Sequence, residues 1–228
     1  MFFFHSDAYS SVYCKIEPVL ASLKRDVSAF LHSAEQRNLS KITADNYRRS
    51  QLVARICAKF LWAAPKCHDN FATADIPWKA LNIVSRNDLG QGIRPILYEQ
   101  EQRIDRDISI SHTDDAVFVV LADRPGCRVG CDLVHLGSVM PMMARLFSHN
   151  DEDLATDPHR ADRFWAVKEA AYKAGNNGQA FAPATWRITH RNGTDTLFCR
   201  DVTIENGIEI PVETFLHDEH VVAVAVMR

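Results

Sequence analysis

The chain reads as an α+β protein made of two half-domains of similar plan. Three observations predict this. The run SHTDDAVFVVL (111–121) recurs in outline as LHDEHVVAVAV (216–226), each a strand–turn–strand with a His beside an acidic turn. The helical run RSQLVARICAK (49–59) precedes a second one, RFWAVKEAAYK (163–173), so that Arg55 falls opposite Glu169 and Lys59 opposite Lys173. At 228 residues the chain is also about one and a half times a typical domain of roughly 150 residues, which allows two small lobes.

The elements follow in order. Residues 2–14 predict one or two strands, and PVLASLKRDVSAFLH (18–32) places apolar residues at helical spacing until Ser33 punctuates it. From Ala44 to Trp62, Leu52, Val53, Ile56, Phe60 and Leu61 form an apolar stripe. Arg48, Arg49, Arg55 and Lys59 form a basic face beside it. Residues 69–108 are polar, with turn signals at 86–90 and 92–95, and predict loops with short strands. ISISH (108–112), TDD and AVFVVLA (116–122) predict a hairpin, and RVGCDLVHL (128–136) a further strand. A short helix around 140–148 and a polar linker (149–160) lead into ADRFWAVKEAAYKA (161–174). That segment has no Gly or Pro until GNNG stops it. TWRITH, TLFCRDVTI and FLHDEHVVAVAVM supply the remaining strands.

Composition narrows the functional class. Hydrophobic residues make up 46% and charged residues 24%, enough for a folded core and against disorder. Lys plus Arg total 26 against 29 Asp plus Glu, a balance unlike that of a nucleic-acid coat or a polybasic membrane binder. The six cysteines are scattered without CxxC spacing and read as reduced thiols. MFFFHSDAYS has no basic n-region or extended apolar h-region, and no run approaches the length of a membrane span. A soluble cytoplasmic protein is the expectation.

Three groups of residues could carry chemistry. On the helix 161–174, Trp165, Glu169 and Lys173 share one face at i, i+4 and i+8. Glu169 and Lys173 read either as a solvated ion pair or, with Trp165 beside them, as the edge of a pocket. Asp132 stands among Val129, Cys131, Leu133 and Val134 on a strand that should be buried, so it needs a partner: a divalent cation, an arginine or a cluster of backbone amides. Ser111 and His112 end a strand before an acidic turn, where capping or solvent exposure is the plain alternative to function. No GxSxG elbow supports a Ser–His–Asp hydrolase, and P-loop, GxGxxG, HExxH and EF-hand spacings are missing from the sequence.

Taken together, LHSAEQR (31–37), the basic helix, GIRP (92–95), ISHT (110–113), GCD (130–132), FS (147–148) and FWAVKEAAYKA (164–174) resemble the Sfp-type 4′-phosphopantetheinyl transferases. The resemblance spans most of residues 31–178. It implies a pseudo-dimer of two similar lobes, each with helices packed on a small antiparallel sheet. Residues 1–125 would form an N-terminal lobe contacting the nucleotide and phosphates of coenzyme A, and residues 126–228 a C-terminal lobe carrying the metal and catalytic residues. The family moves phosphopantetheine from coenzyme A to a serine of an acyl or peptidyl carrier protein, as a holo-carrier-protein synthase, and releases 3′,5′-ADP. By position, Asp132 and Glu169 would bind Mg²⁺, with Mn²⁺ as the alternative. Glu169 or a water it polarises would take the serine proton, and Lys173 would neutralise charge on the transferring phosphate. His112 and Ser111 would contact the nucleotide, with Arg94 nearby and Arg49, Arg55 or Lys59 completing the phosphate cradle, Arg49 foremost.

Two departures bear on this expectation. Many members carry an acid two residues after the aspartate, where this chain has Val134, and Ser50 stands where a basic residue usually opens the helix, with Arg49 beside it. A catalytically weak or inactive relative that binds coenzyme A or a carrier is therefore the alternative. An unrelated α+β binding domain would be expected without the resemblance. Val139, Met140, Met142, Met143, Leu146 and Phe147 suggest either a carrier-docking surface within 138–160 or the core of a short helix. A monomer is expected.

Overall fold

In a computed structural model of the chain, which describes residues 1–23, 26–63, 76–87, 91–148, 159–175, 180–192, 198–205 and 208–228, the run 2–14 forms two strands. These are β1 (Phe2–His5) and β2 (Tyr9–Lys15). Helix α1 (Ile16–Ser22) is much shorter than the helix expected over 18–32. The chain leaves it at Leu23, and the Asp26 carboxylate accepts from Ser28 N to start a 3₁₀ turn at Val27–Phe30. Ser33 then opens a helix rather than punctuating one. The α2 helix (Ser33–Ser40) begins on a capping box, with His32 Nδ1 accepting from Ala34 N and Glu35 Oε2 accepting from His32 N.

The α3 helix (Asp45–Ala63) is followed by β3 (Leu81–Arg86), β4 (Gly92–Glu99) and β5 (Gln102–Arg103), then by β6 (Ile108–His112) and β7 (Ala116–Ala122). Two antiparallel sheets result among the described residues of the unit Met1–Cys127, in the orders β1-β2-β7-β6 and β3-β4-β5. Helix α3 packs on β7, and Val53, Ile56, Cys57, Phe60 and Leu61 join Val12, Val117 and Val119 in one apolar cluster. The expected basic face survives only in the first turns, where Arg48 and Arg49 are exposed or half-buried. Arg55 and Lys59 are buried.

Glu35 makes that burial tolerable. Lys59, fully buried, donates to Glu35 Oε2 at 2.5 Å and to the carbonyls of Phe30 and Trp78 at 3.2 and 3.1 Å. Glu35 Oε1 accepts from Ile83 N at 2.9 Å. Burial pulls the Lys59 pKa below its usual value, against the opposing pull of Glu35. Lys59→Met would leave the Glu35 carboxylate buried without its ammonium. Breaking such a pair costs about 3–5 kcal/mol, so a large fall in the denaturant midpoint is expected in equilibrium unfolding. An unchanged midpoint would show that the pair contributes nothing to folding.

The unit Arg128–Arg228 carries β8 (Arg128–His135), α4 (Pro141–Ala144), α5 (Arg160–Gly175), β9 (Arg187–Asn192), β10 (Phe198–Glu205), β11 (Ile208–His217) and β12 (His220–Met227). Its antiparallel sheet runs β8-β12-β11-β10-β9 among the described residues. The linker at 149–158 and the NNG that follows Gly175 lie outside them. Helix α5 lies on β8 and β12, and Phe164, Val167, Ala170, Ala171 and Ala174 are fully buried. Its alanines permit an unusually close approach to β8. A Cβ built at Gly130 would stand 2.0 Å from Ala170 O and 2.5 Å from Ala174 N. The protein is thus a mixed helix-and-sheet fold with small antiparallel sheets, and no described helix is long and apolar enough to cross a membrane.

Candidate functional site

Strand β8 and helix α5 bring three of the expected residues to one point. Side chains alternate along β8, so Gly130, Asp132 and Val134 share a face, and the contact of Gly130 with α5 shows that this face meets the helix. On α5 the i, i+4 spacing stacks Glu169 and Lys173 one turn apart. Lys173 Nζ donates to Asp132 Oδ1 at 2.9 Å and to Cys131 O at 3.0 Å, and it lies 3.0 Å from Glu169 Oε1. Asp132 is 5% exposed in its side chain, whereas Glu169 and Lys173 are about a quarter exposed, so solvent reaches the cluster from the helix side.

The partner that Asp132 requires is therefore an ammonium 41 residues further along. Burial alone would lower the Lys173 pKa. The charges of Asp132 and then Glu169 outweigh it and hold the amine above the ordinary lysine value. Lys173 stays protonated through neutral pH and joins two carboxylates that would otherwise repel.

The same set fits a hard divalent cation. Two carboxylates converge on one cationic position, all their donors are hard oxygens, and Mg²⁺ commonly takes one or two carboxylates and fills its remaining positions with water and phosphate. Val134 adds no donor. It is packed in the apolar cluster of Phe147, Phe164 and Val167. Among the described residues no group of three or more His, Cys, Asp or Glu is gathered for a metal.

Two buried charges, unremarkable among their sequence neighbours, brace the segment before α5. Asp162, in the first turn of α5, accepts from Gly137 N at 2.7 Å and Val139 N at 2.8 Å, and Lys168 donates to Phe147 O at 2.5 Å. The segment they hold exposes Met140, Met142, Met143 and Leu146, while Ala144 and Phe147 are buried beneath. The short helix is thus partly core and partly an open apolar surface.

A second polar group forms within the N-terminal unit, around the end of β6. His112 Nε2 lies 3.0 Å from Gln51 Nε2 on α3, and the Tyr47 ring stands 5.4 Å from the imidazole. Gln51 Oε1 accepts from Arg55 NH1 at 2.8 Å, and Arg55 NH2 reaches Ser85 Oγ at 3.2 Å. Burial lowers the Arg55 pKa and Glu35, 4.0 Å away, opposes it. Ser111 is buried on β6. Arg49 is half-buried and paired with the exposed Glu17. Arg94 forms a bidentate pair with Asp107, its Nε donating at 2.6 Å. Lys59 lies in the core with Glu35, so its charge serves folding. The i, i+4 spacing of Gln51 to Arg55 is the one sequence signal for this pairing, and it does not mark Gln51 as functional.

No family model matches the chain, and no curated protein matches it significantly. Among solved structures, a holo-(acyl-carrier-protein) synthase from Bacillus anthracis str. Ames, in complex with CoA (3′,5′-ADP), aligns at a TM-score of 0.38 and 14% identity. The alignment covers 50% of this chain and 93% of that one.

Proposed function

We propose that the protein transfers the 4′-phosphopantetheine group of coenzyme A to a serine of an acyl or peptidyl carrier protein. The observation that carries this reading is the convergence of Asp132, Glu169 and Lys173 on one point, two carboxylates sharing a single ammonium. The serine oxygen attacks the phosphorus bearing the pantetheine arm, the bridging P–O bond of the pyrophosphate breaks, and 3′,5′-ADP leaves. Such a transfer is chiefly positioning and charge neutralisation.

Asp132 and Glu169 would hold the metal, Mg²⁺ or alternatively Mn²⁺, which when bound neutralises pyrophosphate oxygens. Glu169, at the solvent-reached side of the cluster, accepts the serine proton. Lys173, kept charged by its two carboxylates, stabilises the charge developing on the transferred phosphate and the leaving group. His112, Ser111 and Arg49 serve the nucleotide and its 3′-phosphate. The exposed Glu17 is a weak partner that a phosphate would displace from Arg49. Arg55, Arg94 and Lys59 hold the frame around them. The nucleotide contacts of this reading fall in the N-terminal unit and its metal and catalytic residues in the C-terminal unit.

The carrier would dock on Met140, Met142, Met143 and Leu146, an exposed and adaptable apolar surface. Met143→Asp is expected to raise the KM for carrier about tenfold and leave that for coenzyme A unchanged, since one buried apolar contact exchanged for a charge is of that order. Equal KM values for the carrier would place docking elsewhere.

The direct test incubates the protein with coenzyme A, Mg²⁺ or Mn²⁺ and a panel of apo acyl and peptidyl carriers, reading intact masses. Gain of one phosphopantetheine is the expected result. No gain on any carrier would overturn the transfer reading. It would leave the alternative that Val134 favours, a relative that binds coenzyme A or a carrier without turnover.

A further inference from the structure

Hydrogen-bond direction around His112 determines more than its position. An arginine has only donors. Arg55 NH1 therefore donates to Gln51, and the atom it meets at 2.8 Å must be the carbonyl oxygen Oε1. The guanidinium is not free to turn. NH1 also donates to Gln51 O at 2.9 Å, NH2 bonds Ser85 Oγ, and Glu35 Oε1 stands 4.0 Å from Nε, with the whole group 6% exposed.

With its oxygen committed to Arg55, Gln51 turns its NH₂ group toward His112, and the two nitrogens are 3.0 Å apart. An amide NH₂ only donates. A proton on His112 Nε2 would put two donors face to face at hydrogen-bond distance, so Nε2 must be the acceptor.

We propose that Arg55 and Gln51 form a one-directional relay that fixes His112 as the neutral tautomer, with Nε2 accepting from Gln51 and the ring proton on Nδ1. Gln51 and Arg55 are then positioning residues. The tautomer follows from the relay alone. Its use rests on the phosphopantetheinyl-transfer reading, in which His112 meets an anionic phosphate as an Nδ1–H dipole rather than as an imidazolium cation.

Imidazole ¹H–¹⁵N two-bond correlation spectra of ¹⁵N-histidine-labelled full-length protein test this at about pH 8, where an ordinary histidine is neutral. The His112 pattern is identified by its loss in His112→Asn. The expected result is the Nδ1–H pattern in the parent. Gln51→Glu, whose carboxylate accepts from both Arg55 and the ring, should move the proton to Nε2. An Nε2–H pattern in the parent overturns the proposal whether or not the variant folds, and an unchanged pattern in folded Gln51→Glu also overturns it. A purely structural role for Gln51 would move neither signal.

Coenzyme A titrations separate the relay from the transfer reading. Gln51→Leu should weaken coenzyme A binding about tenfold, as expected for one hydrogen bond to a charged group. If the parent shows the Nδ1–H pattern yet does not bind coenzyme A, the relay stands and the transfer reading falls. Binding by the parent with an Nε2–H pattern would overturn the relay and leave the transfer reading to the carrier-modification test.

Discussion

Glu169→Gln is expected to lower the rate of carrier modification by about 10²–10⁴-fold while the protein stays folded, because it removes a general base without removing its shape. The amide oxygen can still accept from Lys173, and Asp132 still holds that ammonium from the buried side at 2.9 Å. Glu169 is about a quarter exposed and one helical turn from Lys173, a setting in which the ion pair is worth only a few tenths of a kcal/mol. Intact-mass time courses and thermal melts on the same preparation measure both quantities. A wild-type rate would show that Glu169 is not the base. A collapsed melting curve would show that the cluster is a folding element first. Asp132→Asn differs in kind, since it strips the buried charge that holds Lys173 and should lose stability together with rate.

Gly130→Ala should destabilise the C-terminal unit by about 3 kcal/mol or more, at the upper end of overpacking substitutions, because the obstacle is backbone. The added methyl would stand 2.0 Å from Ala170 O and 2.5 Å from Ala174 N, and neither atom can swing away as a side chain does. Only a shift of α5 off β8 relieves the clash. That shift would also separate Glu169 and Lys173 from Asp132, so rate and stability should fall together. Gly92→Ala is the control, since nothing lies within 4 Å of its added Cβ. Urea unfolding of the two variants makes the comparison, and equal midpoints would mean that the close packing of α5 on β8 is not required.

Much of the local architecture was legible in the sequence. The long helices at Asp45–Ala63 and Arg160–Gly175 and the hairpins of β6 with β7 and β11 with β12 follow from apolar periodicity and turn residues alone. The helix expected over 18–32 failed because its apolar spacing runs across an Asp26 cap that starts a new turn. Likewise Ser33, a punctuation residue in isolation, opens α2 because His32 and Glu35 close a capping box around it.

At the candidate site the division falls between local and distant partners. The anomaly of Asp132 in an apolar strand and the stacking of Glu169 on Lys173 are both visible from near neighbours. That all three meet depends on Gly130 letting α5 settle onto β8, which no spacing within either segment encodes. The positions of helices and strands, and the charged residues that stand out of place, can be read from the amino-acid order because they depend on residues a few positions apart. Which charges are buried and what they meet is set by long-range packing. Arg55 and Lys59 look like one face of a basic helix until Glu35, 24 residues before Lys59, supplies the countercharge that makes their burial affordable.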